Sequence, residues 1–183
     1  MQEKPLRRIF IAVNLPGEVK KGIYEKACRV VEAAAKDSAK VVEKENLHIT
    51  LKFVGYVDEN ELQEIIKVVE GISFEAFEFT IEGAGSFGGR VLWVGVGAGA
   101  AKLVELAEAV QAVVEKGDNR FSPHITIARN KSMPLGKMRG IAEKINSAKI
   151  NMKVKAGSFE VMESKLGRNG PEYSVVYSRK LNL

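Results

Sequence analysis

A four-residue pattern occurs twice in this 183-residue chain and constrains its fold more than any other feature. The segments His48-Ile49-Thr50-Leu51 and His124-Ile125-Thr126-Ile127 hold the only two histidines and two of the only three threonines of the sequence. Both segments are typical of a β-strand, in which residues i and i+2 project from the same face. Each segment therefore presents an imidazole beside a hydroxyl and turns its apolar residues toward a core.

The two histidines form a candidate acid–base pair. Histidine titrates near neutral pH, and a threonine hydroxyl can donate to an anionic oxygen. If the two strands converge, one phosphate-sized group would lie between two imidazoles, one acting as general base and the other as general acid. A lone histidine on a strand is more often a satisfied, half-buried residue, but the duplication favours a functional site.

The surrounding sequence also repeats, in the order strand, helix, motif strand, helix, strand. The motifs begin at positions 48 and 124, 76 residues apart, which is close to half the chain. We therefore predict an α+β fold over residues 1–183, a single bilobal domain in which two pseudo-symmetric lobes with antiparallel sheets surround a central cleft. The predicted strands are 7–15, 47–54, 75–83, 90–96, 124–128, 149–163 and 173–181, and the predicted helices are 18–36, 59–70, 99–116 and 134–146.

Composition narrows the class of protein. Apolar residues make up 45% and charged residues 28%, as in an ordinary globular domain, and no apolar run reaches the length of a membrane span. Cys28 is the only cysteine, which excludes disulfides within the chain and metal cages of cysteines, so we expect a cytoplasmic location. We also expect the protein to be a monomer. The net charge of +5 favours an anionic partner such as nucleic acid. The excess of lysine and glutamate is typical of hyperthermophile proteins.

Other catalytic classes fit less well. Two histidines without a repeated metal-ligand spacing do not make the usual zinc site, so no metal or cofactor is expected. A histidine could activate a serine, but the sequence lacks a G-x-S-x-G elbow and this class leaves the duplication unexplained. The glycine-rich segment 83–89 lacks the Lys-Ser/Thr of a P-loop and is predicted to be a flexible hairpin connection.

Further candidate substrate-binding residues come from their positions. Arg129 and Lys52 follow the second and first motifs and would stabilise negative charge on a phosphate. Phe87, at the tip of the glycine-rich segment, is a candidate for stacking on a base, with packing onto the sheet as the equal alternative. Core packing is the favoured interpretation for three other aromatic residues, Phe53, Trp93 and Phe121.

Together these segments resemble the two-histidine (2H) phosphoesterase superfamily and, within it, the RNA 2′,3′-cyclic phosphodiesterases also known as 2′-5′ RNA ligases. The resemblance covers nearly the whole chain, and the paired motifs are specific to the family. It is carried by RIFIAVNLP (8–16), ENLHITLKFVGYVDE (45–59), RVLWVGV (90–96), FSPHITIAR (121–129) and PEYSVVYSRKL (171–181).

The resemblance implies metal-independent hydrolysis of an RNA terminal 2′,3′-cyclic phosphate to a 2′-phosphomonoester. On the family pattern, His48 is the proton donor to the departing 3′ oxygen and His124 the proton acceptor from water, while Thr50 and Thr126 hold the phosphate. The implied partner is an RNA end like that of a tRNA half, and a reversible 2′-5′ joining activity is also attributed to the family. Two alternatives stay open: a module that binds a nucleotide or RNA end without turning it over, and a phosphodiesterase for small cyclic or 2′-5′ nucleotides.

Overall fold

A computed structural model describes residues 5–168 and 170–183 and contains nine strands and five α-helices within these ranges. The strands are β1 Arg7–Asn14, β2 Ala39–Val41, β3 His48–Val57, β4 Phe77–Phe87, β5 Val91–Val96, β6 His124–Asn130, β7 Asn151–Ala156, β8 Ser158–Gly167 and β9 Gly170–Lys180. The helices are α1 Gly17–Ile23, α2 Arg29–Ala35, α3 Glu59–Glu70, α4 Ala100–Val113 and α5 Leu135–Ser147.

The strands form two antiparallel sheets, one in each lobe. The first sheet has the order β3-β1-β8-β9 and the second the order β2-β6-β5-β4-β7. The first sheet thus joins two strands from the start of the chain to two from its end, so the lobes are interwoven rather than consecutive. This architecture confirms the prediction of a two-lobed α+β fold with one motif strand in each sheet.

Burial explains why β1 is almost continuously apolar. Ile9, Ile11 and Val13 point into the main core, which runs through both lobes, whereas Phe10 and Ala12 face the opposite side of the sheet. A strand covered on both faces loses the usual alternation of apolar and polar residues. The second side of β1 is the floor of the cleft between the lobes.

Helices cover the outer faces of both sheets. Helices α3 and α4 contact β3 of the first sheet, and α5 contacts β4 of the second. Helix α3 begins at a capping box, in which the Asp58 carboxylate accepts from the Glu61 backbone N–H and the Glu61 carboxylate accepts from that of Asp58. The helices thereby leave the inner faces of the sheets, with both motifs, free for the cleft.

The structure corrects several predicted boundaries. Strand β4 runs through Phe87, so most of the segment expected to be a flexible connection is strand, and only a tight turn separates it from β5. This pairing is possible because Gly85 has no side chain: a Cβ there would lie 2.5 Å from the Trp93 indole ring. The predicted helix 18–36 contains a π-helical turn, Tyr24–Cys28, between α1 and α2. The short strand β2 was not predicted.

Neither a membrane-spanning helix nor a cluster of metal ligands is present among the described residues. None of the helices in these ranges has the length and apolar character needed to cross a bilayer. Residues 5–168 and 170–183 also contain no cluster of three or more histidine, cysteine or acidic side chains placed to ligate a metal ion.

Candidate active site

The inner faces of the two sheets enclose a cleft of about 640 Å³ that contains both motifs. Strand β3 of the first sheet contacts β6 of the second, so the two motif strands lie side by side at its base. His48, Thr50, His124 and Thr126 all line the cleft. The structure therefore brings together the four residues that the repeated pattern singled out.

The two motif strands share an irregularity in their pairing, directly after the threonine. In β3, Thr50 pairs with Ala12 and Lys52 with Ile11, which leaves one extra residue between them. In β6, Thr126 and Ala128 pair with consecutive residues of β5 in the same way. A bulge of this kind reverses the side to which the following residues point. The duplication thus extends beyond the four motif residues to the backbone geometry that follows them.

This bulge decides which neighbouring side chains reach the cleft. Simple alternation places Lys52 on the side of His48, but the bulge turns it into the protein, where its side chain is 1% exposed and its ammonium donates to Asn119 Oδ1. Lys52 does not line the cleft, so its prediction as a phosphate-binding residue is not supported by its position. Burial lowers the pKa of Lys52, and the Asp118 carboxylate opposes this shift.

Arg129 and Phe53 are equivalent positions of the two motif strands, and both face the cleft after their bulges. The lobe of the second motif therefore supplies a guanidinium where the lobe of the first supplies an aromatic ring. Phe53 is 49% exposed, so its predicted place in the core was wrong. At this one position the two sides of the pseudo-symmetric cleft are therefore chemically unequal.

Backbone carbonyls orient both imidazoles in the same way. His48 Nδ1 lies 2.6 Å from the Asn46 carbonyl oxygen, and His124 Nδ1 lies 2.6 Å from that of Ser122. Because a carbonyl only accepts, each Nδ1 must carry a proton, which leaves Nε2 as the reactive nitrogen. His48 Nε2 is 2.8 Å from Thr50 Oγ1, and in the neutral ring it accepts from this hydroxyl.

Aromatic side chains hold the two rings in place. The Phe10 ring centroid lies 5.0 Å from that of His48, and Tyr173 meets His48 edge-on at 5.3 Å. Phe87 meets His124 edge-on at 4.9 Å and is itself 39% exposed. Sequence reasoning identified Phe87 but missed Phe10 and Tyr173 as site residues. The position of Phe10 on a strand apolar on both faces was a usable signal, whereas Tyr173 lies too far along the chain to be connected with His48.

The environment lowers the pKa of both histidines in the absence of ligand. Burial lowers the pKa of His48 to about 4, and the positive charges of Lys20 and Arg129, with that of His124 when it is protonated, act in the same direction, against the bond to Asn46. Burial and the Arg129 charge also lower the pKa of His124, against its bond to Ser122. An anion between the rings would reverse these effects, because it stabilises the protonated imidazole.

Two further cations of the cleft were not predicted from the sequence. Arg8 lies two residues before Phe10 along the inner face of β1, and Lys40 is paired opposite Arg129 on β2. Together with Arg129 they place positive charge on both lobes. The arrangement suits a ligand that carries an anionic phosphate and an aromatic base.

Comparison with known proteins shows the same duplication. The family model described as LigT-like phosphoesterase matches the chain twice, at residues 13–93 and 94–173. Two relatives named RNA 2′,3′-cyclic phosphodiesterase align over nearly their full length. That of Thermotoga maritima is 35% identical over 184 positions, covering 93% of this chain and 93% of the relative. That of Methanocaldococcus jannaschii is 31% identical over 182 positions, covering 92% and 98%.

Solved structures share the fold. Escherichia coli LigT in its apo form superposes with a TM-score of 0.79 at 23% identity, covering 97% of this chain and 99% of LigT. The Thermus thermophilus protein TT0787 gives a TM-score of 0.75 at 25% identity, covering 94% and 97%. With the family model matching both halves and relatives aligned over more than nine-tenths of their length, the chain belongs to the LigT-like family of two-histidine phosphoesterases.

Proposed function

We propose that this protein hydrolyses the 2′,3′-cyclic phosphodiester at the 3′ end of an RNA and leaves a 2′-phosphomonoester. The observation that carries the proposal is the pair of imidazoles from two lobes, each with Nδ1 bonded to a backbone carbonyl and Nε2 available in one cleft. The names of the full-length relatives support the same substrate.

In the proposed reaction a water oxygen attacks the phosphorus and the bond from phosphorus to the 3′ oxygen breaks. His124 Nε2 accepts the proton of the attacking water, and protonated His48 donates its proton to the departing 3′ oxygen. The products are a 2′-phosphate and a 3′-hydroxyl, and the histidines return to their starting states by exchanging protons with solvent. Neither transfer calls for a metal or a cofactor.

Substrate binding supplies the protonated form of His48. Its pKa of about 4 in the free protein leaves it almost wholly neutral at neutral pH. A unit negative charge about 4 Å away, at an effective dielectric constant of about 20, stabilises the cation by about 4 kcal/mol. This corresponds to about three pKa units, so the bound anion raises the pKa of His48 close to neutral pH. The bound phosphate therefore prepares its own general acid.

The other cleft residues bind and stabilise the substrate. The hydroxyls of Thr50 and Thr126 donate to the non-bridging phosphate oxygens, so Thr50 leaves His48 Nε2 when the phosphate enters. Arg129 faces the developing charge of the pentacoordinate transition state from the opposite lobe. Phe87 stacks on the base, for which its exposure at the rim of the cleft is suitable.

The same groups also allow 2′-5′ joining of RNA ends. If a 5′-hydroxyl replaces water, its oxygen attacks the phosphorus and the same bond to the 3′ oxygen breaks, which creates a 2′-5′ linkage. Microscopic reversibility requires that the two histidines serve both directions. RNA ends of the kind found in tRNA halves are suitable substrates for this step.

The test uses an oligoribonucleotide that ends in a 2′,3′-cyclic phosphate, incubated in EDTA with wild type, His48→Ala and His124→Ala. We expect wild type to form the 2′-phosphate and each variant to be slower by about 10² to 10⁴. Binding without turnover by wild type would instead support a binding module. Turnover of nucleoside cyclic phosphates without turnover of the oligonucleotide would support a phosphodiesterase for small nucleotides.

A second substrate separates the roles of the two histidines. Sulfur in place of the bridging 3′ oxygen makes a thiolate leaving group that does not need a general acid. Activity of His48→Ala should then recover toward that of wild type, while His124→Ala should stay slow. Recovery of His124→Ala alone would mean that the donor and acceptor roles are exchanged.

A further inference from the structure

Lys20, a residue outside the cleft lining, contacts the turn that orients His48. The 3₁₀ turn Lys44–Asn46 ends one residue before β3, and the carbonyls of Glu43 and Lys44 already accept from backbone N–H groups. The carbonyls of Glu45 and Asn46 are left for other donors. Lys20 Nζ donates to the Glu45 oxygen at 2.6 Å, and His48 Nδ1 donates to the Asn46 oxygen at 2.6 Å. Lysine and histidine thus cap two consecutive carbonyls of one short turn.

The turn is also connected to β9, at the opposite edge of the first sheet. Asn46 Nδ2 donates to the Pro171 carbonyl of β9 at 2.7 Å. Lys20, on α1, therefore holds one side of the turn while β9 holds the other. Loss of either contact would allow the Asn46 carbonyl, and with it the His48 ring, to move.

The charge of Lys20 is partly removed from water, which strengthens its hydrogen bond to the carbonyl. Burial lowers the pKa of Lys20, whereas the carboxylates of Glu45 and Glu160 act in the opposite direction. Glu160 is 6% exposed and accepts from the backbone N–H of Asn14, the residue paired with His48 in the first sheet. Lys20 therefore lies behind His48, between the turn and the strand that flank it.

The second histidine lacks this support. His124 has the equivalent bond to the Ser122 carbonyl, but among the side chains that the structure describes, none donates to the Phe121 carbonyl before it. Lys20 thus distinguishes two otherwise matched sites. An effect of Lys20 should appear at His48 and not at His124, which provides an internal control.

We propose that Lys20 is a positioning residue for the phosphodiester reaction, holding the Lys44–Asn46 turn so that His48 Nε2 points at the leaving oxygen. The inference rests on the proposed function for its effect on turnover, but its effect on the His48 ring can be measured without substrate. The groups that face His48 are the cations Lys20 and Arg129, the titratable His124, and uncharged Phe10, Tyr173 and Thr50.

The experiment compares Lys20→Met and Lys20→Arg with a matched control, Lys21→Met, on the same helix. Turnover of the cyclic-phosphate oligonucleotide is measured, and the two imidazoles are titrated by proton NMR in the free protein. We expect Lys20→Met to lower kcat by about tenfold with KM within twofold, because the proton donor is less well oriented. Lys20→Arg should restore most of the loss, and Lys21→Met should match wild type.

The titration should show a higher pKa for His48 in Lys20→Met, because a nearby positive charge has been removed, with His124 unchanged. Wild-type kcat together with a wild-type His48 titration would overturn the proposal. An equal shift at both histidines, or lower thermal stability with an unchanged His48 titration, would also overturn it, because either result indicates a general structural role. If wild type does not turn over the RNA, the proposed function fails, and the His48 titration still tests the contact with Lys20.

Discussion

The environment of His48 predicts a loss of stability in mild acid. In the unfolded chain His48 has its ordinary pKa of 6.5, whereas in the folded protein burial lowers it to about 4. The unfolded state therefore binds a proton more strongly than the folded state below pH 6.5. The stabilising contribution of neutral His48 is complete above this pH and is lost progressively as the pH falls to about 4.

The two pKa values determine the size of the effect. Between pH 7 and pH 5 the linkage relation gives a loss of about 2 kcal/mol from His48, rising to about 3 kcal/mol once the pH is below both values. The pKa of His124 is also lowered, so His124 also contributes to the loss of folding stability as the pH falls. Carboxyl groups with lowered pKa, such as Glu163 and Asp118, stay ionised in the folded protein over this range.

The assay is guanidinium unfolding at pH 7 and pH 5, followed by Trp93 fluorescence and circular dichroism so that the two probes test two-state behaviour. Guanidinium chloride is a salt and screens interactions between charges, but it does not remove a pKa shift that burial causes. His48→Asn keeps an amide donor for the Asn46 carbonyl. From pH 7 to pH 5 its free energy of unfolding should fall by about 2 kcal/mol less than that of wild type. The free energy of unfolding of the double variant, His48→Asn with His124→Asn, should be nearly independent of pH in this range. Equal losses in wild type and His48→Asn would refute the reasoning.

The remaining predictions concern the cleft. Thr50→Val and Thr126→Val should each lower kcat/KM by about tenfold or more, because each removes a hydrogen bond to an anion. The control Thr80→Val should keep wild-type kinetics and have equal or higher thermal stability, because the Thr80 hydroxyl is buried without a partner in the described structure. Arg129→Met should lower kcat/KM by about 10² to 10³, while Lys52→Met should stay within twofold; equal losses in steady-state kinetics would contradict the bulge argument. The pH profile of kcat/KM should be bell-shaped, with its acidic limb below pH 6.5. The limbs of the kcat profile should lie at higher pH, because the bound phosphate raises the histidine pKa values. A flat profile between pH 5 and pH 8 would contradict paired acid–base catalysis.

The motif residues could be placed from the sequence because strand geometry is local. Residues i and i+2 of a strand share a face wherever the strand lies, so each histidine and its threonine were predicted to be neighbours before any tertiary structure was considered. The two-lobed α+β fold followed from the repeated order of elements. The interweaving of the lobes did not follow, because the pairing of β1 with β8 joins residues about 150 positions apart.

The core prediction for Phe53 was wrong, and Lys52 lies outside the cleft lining, for one physical reason. Alternation along β3 assigns Lys52 to the cleft, but the irregular pairing with β1 inserts one residue and exchanges the two faces. The same insertion in β6 is what brings Arg129, five residues after His124, into the cleft. A bulge depends on how two strands fit together, and a single strand sequence does not reveal it.

The sequence by itself determined the reactive groups: two imidazoles, each with a hydroxyl on the same strand face, and a chain long enough to bury both strands. Only the tertiary structure decided the properties of those groups, because their pKa values, tautomers and neighbours depend on residues distant along the chain. Burial beneath Phe10 and Tyr173 and the charges of Lys20 and Arg129 lower the pKa of His48, and the Asn46 carbonyl fixes its tautomer. In the proposed reaction this ring gains a proton when the phosphate binds. The physical reason is that chemical identity belongs to a residue, whereas desolvation and electrostatic potential arise only when the chain folds around it.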